Sequence, residues 1–179
     1  MRLFVGFLIP EEHKPLILRL QSEIAELGTD SKNVEKENLH ISMSFLGETA
    51  EADAEKIKKD LEGVAKKFKK FDVMLCGTKA IPSKNFIRVI ALEITEASGM
   101  LDKLLDEIRQ KIGGDVKPPH LTLCRVKSTR NKEALIEFVE KYETACFTTL
   151  KVSSIQLLES KLSRSGPEYS VVSESVLQD

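Results

Sequence analysis

The sequence predicts an α+β fold of two similar lobes that share one groove. Three observations lead there. The tetrapeptide His-apolar-hydroxyl-apolar occurs twice, as His40-Ile41-Ser42-Met43 and His120-Leu121-Thr122-Leu123, in a chain with only three histidines. Around each copy the elements follow one order: helix, histidine strand, helix, strand, strand. No linker rich in Gly, Ser or Pro separates the halves, so residues 1–179 read as a single domain of two similar lobes.

Leu3 to Leu8 is apolar on both alternating faces and reads as a strand covered on each side. A helix begins near His13, because Pro15 is tolerated only in a first turn and Glu11-Glu12 suit the positive end of the helix dipole. Its stripe is Leu16, Leu20, Ile24 and Leu27, with Gly28 as terminator, and residues 29–37 are a polar connection. His13 itself reads as a surface residue. In the strand Asn38 to Leu46, strict alternation puts Ile41, Met43 and Phe45 on the apolar face and His40, Ser42 and Ser44 on the other. Ile57, Leu61, Val64 and Phe68 mark the second helix, whose outer lysines read as a solvated face. A strand pair follows, Phe71 to Cys76 and Phe86 to Ile94, turning at Pro82-Ser83-Lys84-Asn85.

The order then restarts. Ser98 is positioned to cap a third helix with the stripe Leu101, Leu104, Leu105, Ile108 and Ile112, stopped by Gly113-Gly114. Pro118-Pro119 force an extended entry into the strand His120 to Val126. Asn131 is positioned to cap the fourth helix, marked by Leu135, Phe138, Val139 and Tyr142. Strands at about 145–160 and 168–176 close the chain, separated by Ser163-Arg164-Ser165-Gly166-Pro167.

The composition is 41% hydrophobic and 31% charged with a formal net charge of −1, so no global positive field advertises nucleic-acid binding and any RNA contact must be local. Cys76, Cys124 and Cys146, odd in number and set in apolar surroundings, read as reduced core thiols. Pro10 and Glu11-Glu12 cut the first apolar run short of a signal-peptide core, and no run reaches membrane-spanning length. A cytoplasmic protein with no membrane partner is expected.

A strand histidine followed two positions on by a hydroxyl is common by chance; two copies at matching places in a repeated order are not. Side by side, the two strands would offer two imidazoles and two hydroxyls to one pocket. Imidazole titrates near neutrality, so one can serve as base and the other as acid. In-line displacement at phosphorus uses that pairing, with Ser42 and Thr122 donating to non-bridging oxygens. Arg125 supplies a planar cation for the developing charge, provided that the strand bulges or ends near Cys124, since strict alternation turns Arg125 away from His120. The residue pattern offers less to other chemistries: there is no HExxH or CxxC metal motif, no Gly-x-Ser-x-Gly elbow and no glycine-rich phosphate loop. No metal and no cofactor are expected.

At these motifs the chain resembles the 2H phosphoesterases, in particular the RNA 2′,3′-cyclic phosphodiesterase branch, also known as 2′-5′ RNA ligase-like or LigT/ThpR-type proteins. The resemblance is carried by Arg2-Leu3-Phe4-Val5, by Glu37 to Glu48, by Pro119 to Val126, and by Ser160-Lys161-Leu162 with Gly166-Pro167-Glu168-Tyr169. It implies a bilobal fold with a pseudo-twofold axis along a central groove, antiparallel-rich sheets lining it and helices outside. It also implies metal-independent opening of a 2′,3′-cyclic phosphate on RNA or a nucleoside to a 2′-phosphate; attack by a 5′-hydroxyl instead of water would form a 2′-5′ linkage. By motif position His120 would be the general base, His40 the general acid, and Ser42, Thr122 and Arg125 the phosphate ligands. Ser42 stands where the family more often has threonine, and no tryptophan follows Arg88, which bears on base recognition. The partner implied is RNA or a nucleotide with a cyclic phosphate end, tRNA fragments among them, acted on by a monomer. Two alternatives remain at this point: a non-catalytic RNA- or nucleotide-phosphate-binding module, and a phosphodiesterase of small cyclic nucleotides.

Overall fold

A computed structural model describes residues 1–164 and 166–179; Ser165 of the expected Ser163–Pro167 connection lies outside the described residues. In chain order the elements are β1 (Arg2–Leu8), α1 (Lys14–Glu26), β2 (Ser31–Asn33), β3 (His40–Glu48), α2 (Glu51–Ala65), β4 (Phe71–Ser83), β5 (Phe86–Thr95), α3 (Met100–Lys111), β6 (Asp115–Val116), β7 (His120–Val126), α4 (Lys132–Lys141), β8 (Cys146–Val152), β9 (Ser154–Ser163) and β10 (Gly166–Val176). Single 3-10 turns at Glu11–His13 and Lys36–Asn38 lead into α1 and β3.

The helices form where the apolar spacing predicts, with shifts in detail. Pro15 sits in the first turn of α1, and Gly28 ends it with a φ of 65° that costs a Cβ-free residue nothing. Its buried face is Ile17, Leu20, Gln21 and Ile24, rotated by one position from Leu16. At α3 the N-cap is Gly99 rather than Ser98, and the Glu96 carboxylate accepts the backbone N–H groups of Ser98 and Leu101. Asn131 does precede α4, but its side chain donates instead to the carbonyls of Leu27 and Gly28 at the end of α1. His13 is not a free surface residue; it is half-buried, with Nδ1 3.2 Å from the Thr148 hydroxyl.

The described strands form one sheet in the order β10-β9-β1-β3-β7-β5-β4-β8, with β2 added on β7 and β6 on β3. The pairs along that order are antiparallel. The two halves of the sheet meet at a single registered pair, Ile41 opposite Leu121, so the join between lobes is narrow. Each lobe draws on both halves of the chain. Strands β9 and β10 extend the β1–β3 half, whereas β4 and β5 extend the β7 half. Helices α2 and α3 pack on the first lobe, α1 and α4 on the second. The predicted strand at about 145–160 is two strands broken at Ser153, β8 on β4 and β9 on β1. Because one residue joins them, the sheet curls until its two sides approach.

Two further differences follow from pairing. Strand β4 runs on to Ser83, leaving Lys84-Asn85 as the turn. Its register with β8 also sets Cys76 opposite Cys146, and these two thiols form a disulfide; only Cys124 is free. Seventy residues separate the partners, so local composition could not reveal them. The helix-facing side of the sheet holds the core, including Leu3, Val5, Ile41, Met43, Leu121 and Leu123.

Candidate active site

The histidine strands carry their side chains to the other side of the sheet. Antiparallel geometry about the Ile41–Leu121 pair places His40 on the side of Thr122 and Ser42 on the side of His120. The two imidazoles are therefore diagonal neighbours, at a spacing of roughly 7–8 Å. A phosphate group can lie between them with one hydroxyl beside each ring.

Both rings are held in the same way. His40 Nδ1 lies 2.6 Å from the carbonyl oxygen of Asn38, and His120 Nδ1 lies 3.2 Å from that of Pro118. A carbonyl only accepts, so each Nδ1 carries the proton and each neutral ring keeps Nε2 as its acceptor. The repeated device is a histidine leaning on the carbonyl two residues before it. Ser42 and Thr122 are half-buried, and neither hydroxyl has a hydrogen-bond partner among the described residues. They remain available to a ligand.

A bulge at the same place in each strand decides what joins them. Against β1, Gly6 pairs with Ser42 and Val5 with Ser44, so Met43 is the extra residue. Against β5, Ala91 pairs with Thr122 and Ile90 with Cys124, so Leu123 is extra. Beyond each bulge the alternation reverses. Arg125 thus turns to the face of His120 and Thr122, which resolves the conflict that strict alternation posed. Phe45, its counterpart in the first copy, turns the same way and is 46% exposed rather than core. Ser44 goes inward instead, buried and donating to the carbonyl of Gly113, and Cys124 is buried with its thiol pushed up to about 11 by desolvation. Gly6 permits the first bulge, since a Cβ there would lie 2.3 Å from the carbonyl oxygen of Ile41.

The walls of the site include groups that the motifs did not assign. Phe4 packs 5.1 Å from the His40 ring and 6.1 Å from Phe45, and Tyr169 stands edge-on to His40 at 4.8 Å. Buried Asn38 holds this wall together: its Nδ2 donates to the carbonyl of Pro167, its Oδ1 accepts the N–H of Tyr169, and its own carbonyl receives His40. The polar residue two before the histidine was a usable signal; the reach to residue 169 was not. Next to His40, a cavity of about 430 Å³ is lined by Arg2, Phe4, Phe45, Arg125, Leu162 and Tyr169, among others. Burial lowers the pKa of His40 below its ordinary value of 6.5, opposed by the bond to Asn38 and reinforced by the positive charges of Arg125 and His120. Among the described residues no three His, Cys, Asp or Glu side chains gather as a metal site.

Two lobes that each present a histidine and a hydroxyl on one groove define the architecture of the 2H phosphoesterases. The family profile described as LigT like Phosphoesterase matches residues 7–91 and residues 92–169. The chain belongs to that family. It is 37% identical to the RNA 2′,3′-cyclic phosphodiesterase of Methanocaldococcus jannaschii over 97% of this chain and 99% of that one. It is 32% identical to the protein of the same name from Aquifex aeolicus over 99% and 97% of the two chains. In fold it matches the crystal structure of TT0787 of Thermus thermophilus, with a TM-score of 0.83 at 24% identity over 99% and 98% of the chains.

Proposed function

We propose that this protein hydrolyses 2′,3′-cyclic phosphates on RNA or nucleosides to 2′-phosphates, with His40 and His120 as the acid–base pair. The observation that carries this reading is the matched pair of imidazoles, each with Nδ1 tied to a carbonyl, flanking a space that two unengaged hydroxyls and Arg125 also face. The names of the relatives at 37% and 32% identity support the same reaction.

In the proposed step His120 Nε2 takes a proton from water as its oxygen forms a bond to phosphorus. His40 Nε2 gives a proton to the 3′ oxygen as the P–O3′ bond breaks, leaving a 2′-phosphate and a 3′-hydroxyl. Ser42, Thr122 and Arg125 hold the non-bridging oxygens, where negative charge grows in the transition state. Burial disfavours the charged form of His40. The phosphodiester anion counters this, because a negative charge beside the ring favours the imidazolium. Substrate binding thus favours the charged form of the acid. With a 5′-hydroxyl in place of water as the nucleophile, the same groups form a 2′-5′ linkage as the P–O3′ bond breaks.

The exposed aromatic face of Phe45 in the cavity beside His40 supports stacking of the terminal base without the family's tryptophan. The working unit is the monomer, a single domain of residues 1–179, and RNA fragments with cyclic ends, those of tRNA included, are its partners. Among the described residues no helix is long and apolar enough to cross a membrane. The test is incubation with RNA ending in a 2′,3′-cyclic phosphate, in EDTA, with the product end group identified. A 2′-phosphate and a bell-shaped pH profile are expected. An absolute metal requirement, or binding without product, would overturn the two-histidine reaction.

A further inference from the structure

We propose that the cleft running from Arg125 to the tip of the β4–β5 hairpin is the track for the RNA strand on the 5′ side of the reacting end. This rests on the phosphodiesterase reading and adds the path of the strand to it. A 2′,3′-cyclic phosphate occupies both lower oxygens of the terminal ribose, so the strand can leave only through the 5′ oxygen. A polymer therefore needs one exit path, and a mononucleotide needs none.

Two large clefts could serve, and their charges differ. One, of about 710 Å³, starts at His120 and runs along α3; its three cations, Lys79, Arg109 and Lys117, face four carboxylates, Glu93, Glu96, Asp102 and Asp106. The other, of about 820 Å³, starts at Arg125 and runs to the tip of the β4–β5 hairpin. It is lined by four cations, Arg88, Arg125, Lys127 and Lys132, and by no carboxylate. None of these four is ion-paired to a carboxylate among the described residues, in a protein whose net charge is −1. A polyanion is drawn to the second cleft and not to the first.

The second cleft also offers a surface for a base. Phe86 is 55% exposed at the hairpin tip, and the guanidinium of Arg88 lies 5.0 Å from its ring centroid. An exposed ring with an arginine plane against it is a stacking platform that tolerates any base. The tip is tied to α4, since Lys132 Nζ donates to the carbonyl of Asn85 at 2.5 Å. Arg125 borders both this cleft and the cavity beside His40, so the track joins the site at the reacting phosphate.

The experiment compares adenosine 2′,3′-cyclic phosphate with a hexanucleotide ending in the same group. It uses wild type, Arg88→Gln/Lys127→Gln, Phe86→Ser, and Lys79→Gln/Lys117→Gln on the other cleft. Wild type should favour the hexanucleotide in kcat/KM by ~10-fold, the scale of one base stack plus phosphate contacts. Arg88→Gln/Lys127→Gln should lose that preference and flatten the salt dependence by about 1.4 in log–log slope, for two fewer phosphates neutralised. Phe86→Ser should lose much of the preference with the salt slope unchanged. Mononucleotide turnover is the internal reference and should stay within about twofold in every variant.

Equal wild-type rates on both substrates, equal losses on both, or a loss confined to Lys79→Gln/Lys117→Gln would overturn the track. Binding of a fluorescent hexanucleotide with a plain 3′-phosphate separates the two readings. Weakening by ~10-fold in Arg88→Gln/Lys127→Gln supports the track even if nothing is turned over, and unchanged binding overturns it. Absence of turnover on both substrates counts against the catalytic reading alone.

Discussion

Arg125 is the residue on which alternation and chemistry disagree, and replacing it tests both. The bulge at Leu123 turns it to the groove, where it raises the positive potential at His40. Arg125→Ala removes a charge-assisted, two-pronged contact to the phosphate. Such bonds contribute about 1.5–3 kcal/mol, so at 1.36 kcal/mol per decade kcat/KM should fall by roughly 10- to 150-fold. The same change removes a cation near His40, so the His40 titration should move up, toward its ordinary value. Arg125→Lys keeps the charge and loses the fork; the rate should drop by roughly five- to tenfold while His40 stays lowered. The assays are steady-state kinetics on a cyclic-phosphate RNA and NMR titration of the His40 ring proton. A rate within threefold of wild type for Arg125→Ala would show that the guanidinium does not hold the phosphate. An unmoved His40 midpoint would show that it does not face that ring.

Three further outcomes are expected. His40→Ala and His120→Ala should each slow turnover by roughly a hundredfold or more, and normal activity in both would refute the acid–base assignment. His40 also links pH to stability. Its folded pKa is depressed, so below about 6.5 the unfolded chain takes up the proton first and wild type loses stability until the folded group also protonates. Urea melts should show His40→Gln gaining on wild type as pH falls from 8 to 5, and parallel curves would contradict the burial cost. Gly6→Ala would drive a methyl into the Ile41 carbonyl, 2.3 Å away, so thermal melts should show a loss of about 2 kcal/mol or more, and a neutral result would mean that β1 does not constrain the bulge.

Much of the fold was legible in the sequence because its signals are local. Helical spacing, Pro15 in a first turn and glycine at a helix end act within a few residues, and they place α1 correctly even though its buried face is rotated by one position. The repeated His-x-hydroxyl motif was legible for the same reason, since period two places both side chains on one face. The placing of Phe45 on the apolar face and of Ser44 on the face of His40 failed at a bulge, which depends on what the neighbouring strand allows. Cys76 and Cys146 were misread as separate thiols because strand pairing, not composition, sets them opposite each other.

The sequence by itself determined the element types, the duplicated order, the family and the two histidines. The tertiary structure decided which side chains accompany them. Gly6 and the register on β5 bend both strands after the hydroxyl, delivering Arg125 and Phe45 to the groove and burying Cys124 and Ser44. Asn38 reaches across to residues 167 and 169, and the exchange of strands between lobes builds each half of the groove from both halves of the chain. The reason is physical: a side chain's face is a property of the local backbone, but where the alternation breaks is a property of the partner strand.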